Sequence, residues 1–247
     1  MAGRRAPTGA ERYGFLDDPE GRRERGRRIV RALADFGGVQ PATARILDVG
    51  CSAGLITSEM SRHAGLVVGT DVDADAIGFA CAQGGRASFV VASGQRLPFE
   101  DQSFDAVVCN HVYEHVDDPY ALLVEIHRVL RDGGACYFAA GHTLQLIEPH
   151  HRLPLLSLLP RSLADRLLRL SGRADRYEER FLPPWRLRSL FALFAGAELV
   201  SPAMLRDPLR YEFRSIAALP RPLRQVIARV AGPLARLAPT WIWVLRR

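Results

Sequence analysis

Between residues 45 and 140 the chain alternates short apolar runs with helical segments, and this alternation leaves few folds open. Residues 45–50, 66–71, 87–92, 104–110 and 135–140 read as strands. They are almost uninterruptedly apolar, as strands must be when helices cover both faces of a sheet. Residues 55–63, 73–83 and 119–131 have helical character, and Gly133-Gly134 is expected to end the last of these helices. Strands and helices alternating at this spacing predict an α/β fold with a parallel sheet. Beyond residue 141 the spacing predicts a helix over 183–195, a strand over 197–205, a basic amphipathic helix over 220–238 and a closing strand over 240–245.

The strongest chemical signal lies where the first strand ends, in I-L-D-V-G-C-S-A-G at 46–54. Glycine lacks a Cβ, so a turn through Gly50 and Gly54 lets the backbone approach a ligand closely. The helix that follows offers N–H groups to an anion. The second strand ends in Gly69-Thr70-Asp71, twenty-three positions after Asp48. A carboxylate there suits two vicinal ribose hydroxyls, because each of its oxygens accepts a hydrogen bond. Asp73 is the better candidate for capping the next helix. Ser93, Gly94 and Gln95 follow the third strand, and Asn110 and His111 end the fourth. In open α/β sheets ligands bind beyond the carboxyl ends of the strands.

Taken in order, Asp48-x-Gly50-Cys51-x-x-Gly54, Asp71, L-P-F at 97–99, Phe104-Asp105, E-H-V at 114–116 and R-V-L-R-x-G-G at 128–134 resemble the class I S-adenosylmethionine-dependent methyltransferases, type 11 branch, which includes quinone-biosynthesis enzymes. The resemblance spans residues 44–141. Ser52 stands where that family often has glycine, and the turn is not the G-x-G-x-x-G of nicotinamide enzymes. The resemblance implies a Rossmann-like sheet of seven mostly parallel strands with the last antiparallel. It implies S-adenosyl-L-methionine as cofactor, with Asp48, Gly50, Cys51 and Gly54 along its methionine part and Asp71 on the ribose. Val72 would pack on the adenine, Ser93, Gly94 and Gln95 would reach its amino group, and Asn110 and His111 would lie beneath the sulfonium. The expected reaction is methyl transfer to a small-molecule acceptor at oxygen, on a lipid-linked or glycan intermediate. A nucleic-acid or protein methyltransferase, or a cofactor-binding protein without turnover, remains the alternative.

Methylating a hydroxyl calls for a base. His111 and His142 are the catalytic candidates, each just past a strand end, with His115, His150 and His151 less favoured. No metal is expected, since adjacent His150 and His151 cannot easily face one ion. The domain reading is an N-terminal arm and helix over 1–40 and a methyltransferase domain over 41–247, whose segments 142–182 and 206–238 cap the substrate side. The formal net charge is +6 and every basic residue is arginine. Leucines interleaved with those arginines suggest peripheral membrane contact, whereas the absence of interleaved aromatics argues against a nucleic-acid partner. No apolar run approaches the ~18 residues of a membrane span, and residues 1–14 lack an apolar signal core. Cys51, Cys109 and Cys136 lie in or beside strands and read as buried thiols of a reducing, cytoplasmic protein. The sequence leaves the oligomeric state open.

Overall fold

Asp18 accepts a hydrogen bond from the Gly21 amide at 2.9 Å and so caps helix α1, Pro19–Gly37. The helix ends at Gly38, whose left-handed φ of 69° returns its amide to the Leu33 carbonyl. These elements come from a computed structural model that describes residues 18–148, 151, 153–235, 238 and 240–247; the expected arm up to residue 17, and His150, lie outside them.

Strands β1 (Arg45–Val49), β2 (Leu66–Asp71), β3 (Ser88–Val91), β4 (Phe104–Asn110), β5 (Leu130–Ala140), β6 (Gly196–Leu199) and β7 (Trp241–Arg246) form one sheet in the order β3-β2-β1-β4-β5-β7-β6. Neighbours pair in parallel except β7, which runs antiparallel to both β5 and β6. The expected seven-stranded Rossmann-like α/β sheet is therefore present. Helices α2 (Leu55–Met60), α3 (Ala74–Ala82) and α4 (Pro119–Val129) are the crossovers, and Asp73 caps α3 as expected, accepting from the amides of Asp75 and Ala76.

Each face of the sheet carries its own apolar layer. On one, Leu122, Leu123 and Ile126 of α4 meet Val107, Cys109 and Phe138. On the other, Ile29, Val30, Ala32 and Leu33 of α1 meet Ile46, Val108 and Tyr137. The helix within the 1–40 segment thus belongs to the sheet's covering layer. The strands are apolar on both sides for this reason, and Cys51, Cys109 and Cys136 are buried free thiols.

Two local expectations are corrected. The helix expected over 119–131 stops at Val129, and Gly133 and Gly134 lie inside β5, where a register shift against β4 absorbs them. The strand expected over 197–205 ends at Leu199, because Pro202, with its fixed φ, opens helix α7 (Ser201–Arg206). Within segment 142–182, Pro160 separates a short turn, Leu156–Leu158, from helix α5, Arg161–Ser171.

The segment after β5 has a small core of its own. Leu156, Ala164, Leu168 and Tyr177 are buried together, and Phe181 joins that core to the sheet's. It leads into α6 (Pro184–Leu190), β6 and α7, after which the second segment begins against α1. There Arg28 donates to the Tyr211 and Glu212 carbonyls at 2.6 and 2.7 Å, and Arg210 pairs with Asp35. Helices α8 (Arg214–Ala217) and α9 (Arg221–Ala235) complete it, with α9 packed on α7.

Candidate active site

Strand order reverses at β1, which lies between β2 and β4. Register places Val49 beside Thr70 and Cys109, and Asn110 beside Ala139. Gly50, Asp71, Asn110 and the residues after Ala140 therefore share the carboxyl edge of the sheet, where such folds hold ligands.

The turn after β1 is strapped to β2. The Gly50 and Cys51 amides both donate to the Thr70 carbonyl, at 2.7 and 2.9 Å, and the Ser52 amide donates to Asp71 Oδ2 at 2.8 Å. Asp71 Oδ1 accepts from the Asp73 amide at 3.0 Å. Each carboxylate oxygen keeps a second lone pair, which fits two ribose hydroxyls. Beside it Val72 is 69% exposed, an apolar surface held in water next to an acid. Asp48 is turned the other way. It is 3% exposed, accepts from the Thr57 hydroxyl at 2.6 Å, and is pushed up to about 7 by burial.

Backbone geometry explains the glycines. Gly50 and Gly54 have φ of 72° and 73°, a region that L side chains rarely adopt. A Cβ on Gly50 would stand 2.5 Å from Val112 Cγ2, and one on Gly54 would stand 2.6 Å from the Phe89 ring. Ser52, between them, has φ of 50°, so this position is left-handed too. Ser52→Gly is expected to stabilise the protein by about 0.5–1 kcal/mol, the strain relieved less the added chain entropy. Thermal unfolding should show a rise of about 1–4 °C, and a fall would contradict this account.

Ser93, Gly94 and Gln95 form a tight turn past β3, with the Gln95 amide on Ser93 Oγ at 3.2 Å and the Gln95 side chain on the Asp118 carbonyl at 3.3 Å. His111 sits just past β4 with φ of 58°, and its amide bonds the Ala139 carbonyl. Its Nδ1 is 2.9 Å from Glu114 Oε1, and its Nε2 is 3.2 Å from Thr240 Oγ1. Glu114 is fully buried, and His115 is exposed. His142, just past β5, is also fully buried, 4.1 Å ring to ring from Trp241, with Nε2 bonded to the Ala238 carbonyl. Burial lowers its pKa and favours the neutral ring, and Nδ1 has no hydrogen-bond partner. Two histidines expected at strand ends are there. The partners of His111, Glu114 and Thr240, carried no assigned role in the sequence.

Among the described residues no three His, Cys, Asp or Glu side chains form a cluster that could hold a metal ion. A cavity of about 430 Å³ lies at the opposite, amino end of the strands, lined by Thr43, Asp105 and Arg131 among others, and takes no part in this arrangement.

Comparison with known proteins decides the family. The family described as "Methyltransferase domain" matches residues 47–138. A ubiquinone biosynthesis O-methyltransferase from Xanthomonas oryzae pv. oryzae is 33% identical over 182 residues, covering 70% of this chain and 71% of that protein. The chain belongs to the S-adenosylmethionine-dependent methyltransferases. It is a class I enzyme of the type 11 branch, and S-adenosylmethionine is its cofactor. A fatty-acid O-methyltransferase from Mycolicibacterium smegmatis is 34% identical over 171 residues, 66% of this chain and 57% of that one. The fold matches the crystal structure of an S-adenosylmethionine-dependent methyltransferase from Mesorhizobium loti with a TM-score of 0.58, at 19% identity, over 89% of this chain and 96% of that one.

Proposed function

We propose that the protein methylates an oxygen of an apolar small molecule, with His111 as the base. The observation that carries this reading is the His111–Glu114 pair at the carboxyl end of β4. S-adenosylmethionine supplies a methyl group already activated on a sulfonium, so the protein must align the acceptor and remove its proton. His111 Nε2 receives that proton once the acceptor hydroxyl replaces Thr240 Oγ1 beside it. Glu114 accepts from Nδ1, fixes the ring and stabilises its charged form. Asn110 would lie beneath the sulfonium. Asp71 would hold the cofactor's ribose, Val72 and the turn at Ser93, Gly94 and Gln95 its adenine, and Gly50, Cys51 and Gly54 its methionine end, with Asp48 behind. The unpaired Nδ1 of His142 accepts a second hydrogen bond from the acceptor. The relatives' names, an O-methyltransferase of ubiquinone biosynthesis and one of fatty acids, support transfer to oxygen.

Titration calorimetry with S-adenosylmethionine tests the site. The protein should bind it, and Asp71→Ala should weaken binding by about 1–3 kcal/mol, the range for a lost charged hydrogen bond in a buried site. Unchanged affinity would remove Asp71 from the ribose. Turnover is scored separately by transfer of labelled methyl, which separates an enzyme from a protein that only binds.

A specific surface favours an acceptor drawn from a membrane. No helix among the described residues is long and apolar enough to cross one. The segments that follow β5 nevertheless expose Leu144, Leu146, Ile147, Leu155, Leu158 and Leu163. Arg161, Arg166 and Arg169 are exposed on helix α5, which also carries Leu163. Leucines that insert and arginines that meet lipid phosphates describe an interfacial surface. The protein is expected to co-sediment with anionic vesicles, more weakly with neutral ones, and less as salt rises. Binding to neither kind would return this surface to ordinary packing.

A further inference from the structure

Gln145 and Tyr177, both in the first cap segment, are buried polar residues with nothing to bond. Gln145 is fully buried and neither its Oε1 nor its Nε2 has a hydrogen-bond partner; Tyr177 is 8% exposed and its hydroxyl has none. Such groups are expensive to leave unpaired, and native structures hold few of them. Near Tyr177 stands Tyr113, whose hydroxyl donates to the Gly141 carbonyl at 2.7 Å and accepts from the Leu182 amide at 3.2 Å. A Cβ on Gly141 would stand 2.9 Å from Gln145 Oε1, which places that amide at the exit of β5. Burial and the nearby Glu148, Glu179, Tyr113 and Glu114 push the Tyr177 hydroxyl up. Glu114, the partner of His111, acts on the Tyr177 hydroxyl, and the Gln145 backbone amide donates to the His142 carbonyl at 3.2 Å, so each orphan group is tied to one of the two histidines.

We propose that Gln145 and Tyr177 bind the polar head of the methyl acceptor, and that this head carries neutral hydroxyl groups rather than a carboxylate. The proposal rests on the methyl-transfer reading of the site. Gln145 offers one acceptor and two donors, and Tyr177 one hydroxyl that both donates and accepts. A hydroxyl answers either kind of atom. A carboxylate only accepts, so it would leave Gln145 Oε1 unpaired and bring a negative charge toward Glu114 and Glu179.

The test uses the whole protein with saturating S-adenosylhomocysteine and two probes that differ only in the head, 4-hexylcatechol and 4-hexylbenzoate. Calorimetry should show the catechol binding at least ~10-fold more tightly, the scale of one well-made hydrogen bond. Gln145→Leu and Tyr177→Phe should each weaken catechol binding by about 10-fold and leave S-adenosylhomocysteine affinity unchanged. Because each variant removes a group that is unpaired without acceptor, the melting temperature of the free protein should hold or rise by about 2–4 °C. A benzoate that binds as tightly as the catechol, a catechol that does not bind, or variants that keep catechol affinity would overturn the proposal. So would a melting temperature several degrees lower in both variants, which would assign the two groups to structure. Failure of the native protein to bind S-adenosylhomocysteine at all would overturn the reading of the cofactor site, and this inference with it.

Discussion

His111→Asn should lower kcat for methyl transfer to a phenolic acceptor by about 10²- to 10⁴-fold, the usual contribution of a positioned base. Asparagine is the informative replacement because His111 has a φ of 58°, and asparagine tolerates that left-handed backbone better than most residues. The turn between β4 and Tyr113 should therefore survive while the proton acceptor is lost. S-adenosylmethionine affinity should stay within about 2-fold, since a base acts on the acceptor and a change in kcat alone marks an interaction made in the transition state. Glu114→Gln should cut kcat less. It keeps an oxygen that can accept from Nδ1 at the 2.9 Å contact but removes the charge that steadies a protonated ring. A His111→Asn enzyme that retained half the native kcat would end the assignment and pass the role to His142.

How far this site could be read in the sequence depends on the range of each interaction. The strands over 66–71 and 104–110 have the bounds that the apolar runs give, because a strand buried on both faces leaves an unbroken hydrophobic trace. Asp73 as cap was legible because it acts within three residues of itself, and Asp71 as the acid at the strand end because the apolar run stops there, although its bond to the Ser52 amide spans nineteen positions. Gly50 and Gly54 were legible as a turn without side chains, although the neighbours that forbid a side chain, Val112 and Phe89, come from other segments. The rest depends on contacts that no local pattern records. Thr240 reaches His111 across 129 positions, and Arg28 reaches the Glu212 carbonyl across 184. Gln145 and Tyr177 look like ordinary cap residues until burial shows that nothing pairs with them. Glu114 is the one near miss. It stands three positions from His111 inside a motif that was noticed, but only a single 3₁₀ turn, Tyr113–His115, brings its carboxylate back to the imidazole.

Gly50→Ala should be strongly damaging in the turn after β1, and its cost can be divided. The new Cβ would lie 2.5 Å from Val112 Cγ2 and 3.2 Å from Cγ1, so one side chain or the turn must move. Overpacking of this kind costs about 1–3 kcal/mol, and holding alanine at φ 72° adds about 1–2 kcal/mol. A combined loss of about 2–5 kcal/mol is a large share of the 5–15 kcal/mol that a domain has in all. Val112 follows His111 directly, so the clash also presses on the base. Both cofactor binding and kcat should therefore fall with a single methyl group. Val112→Ala in the same chain separates the two causes, because it clears the space but leaves the backbone strain. Thermal unfolding of the double variant should recover the packing part and keep a deficit of about 1–2 kcal/mol. Recovery of native stability would show that φ at Gly50 carries no strain. No recovery at all would show that Val112 is not what a side chain there meets.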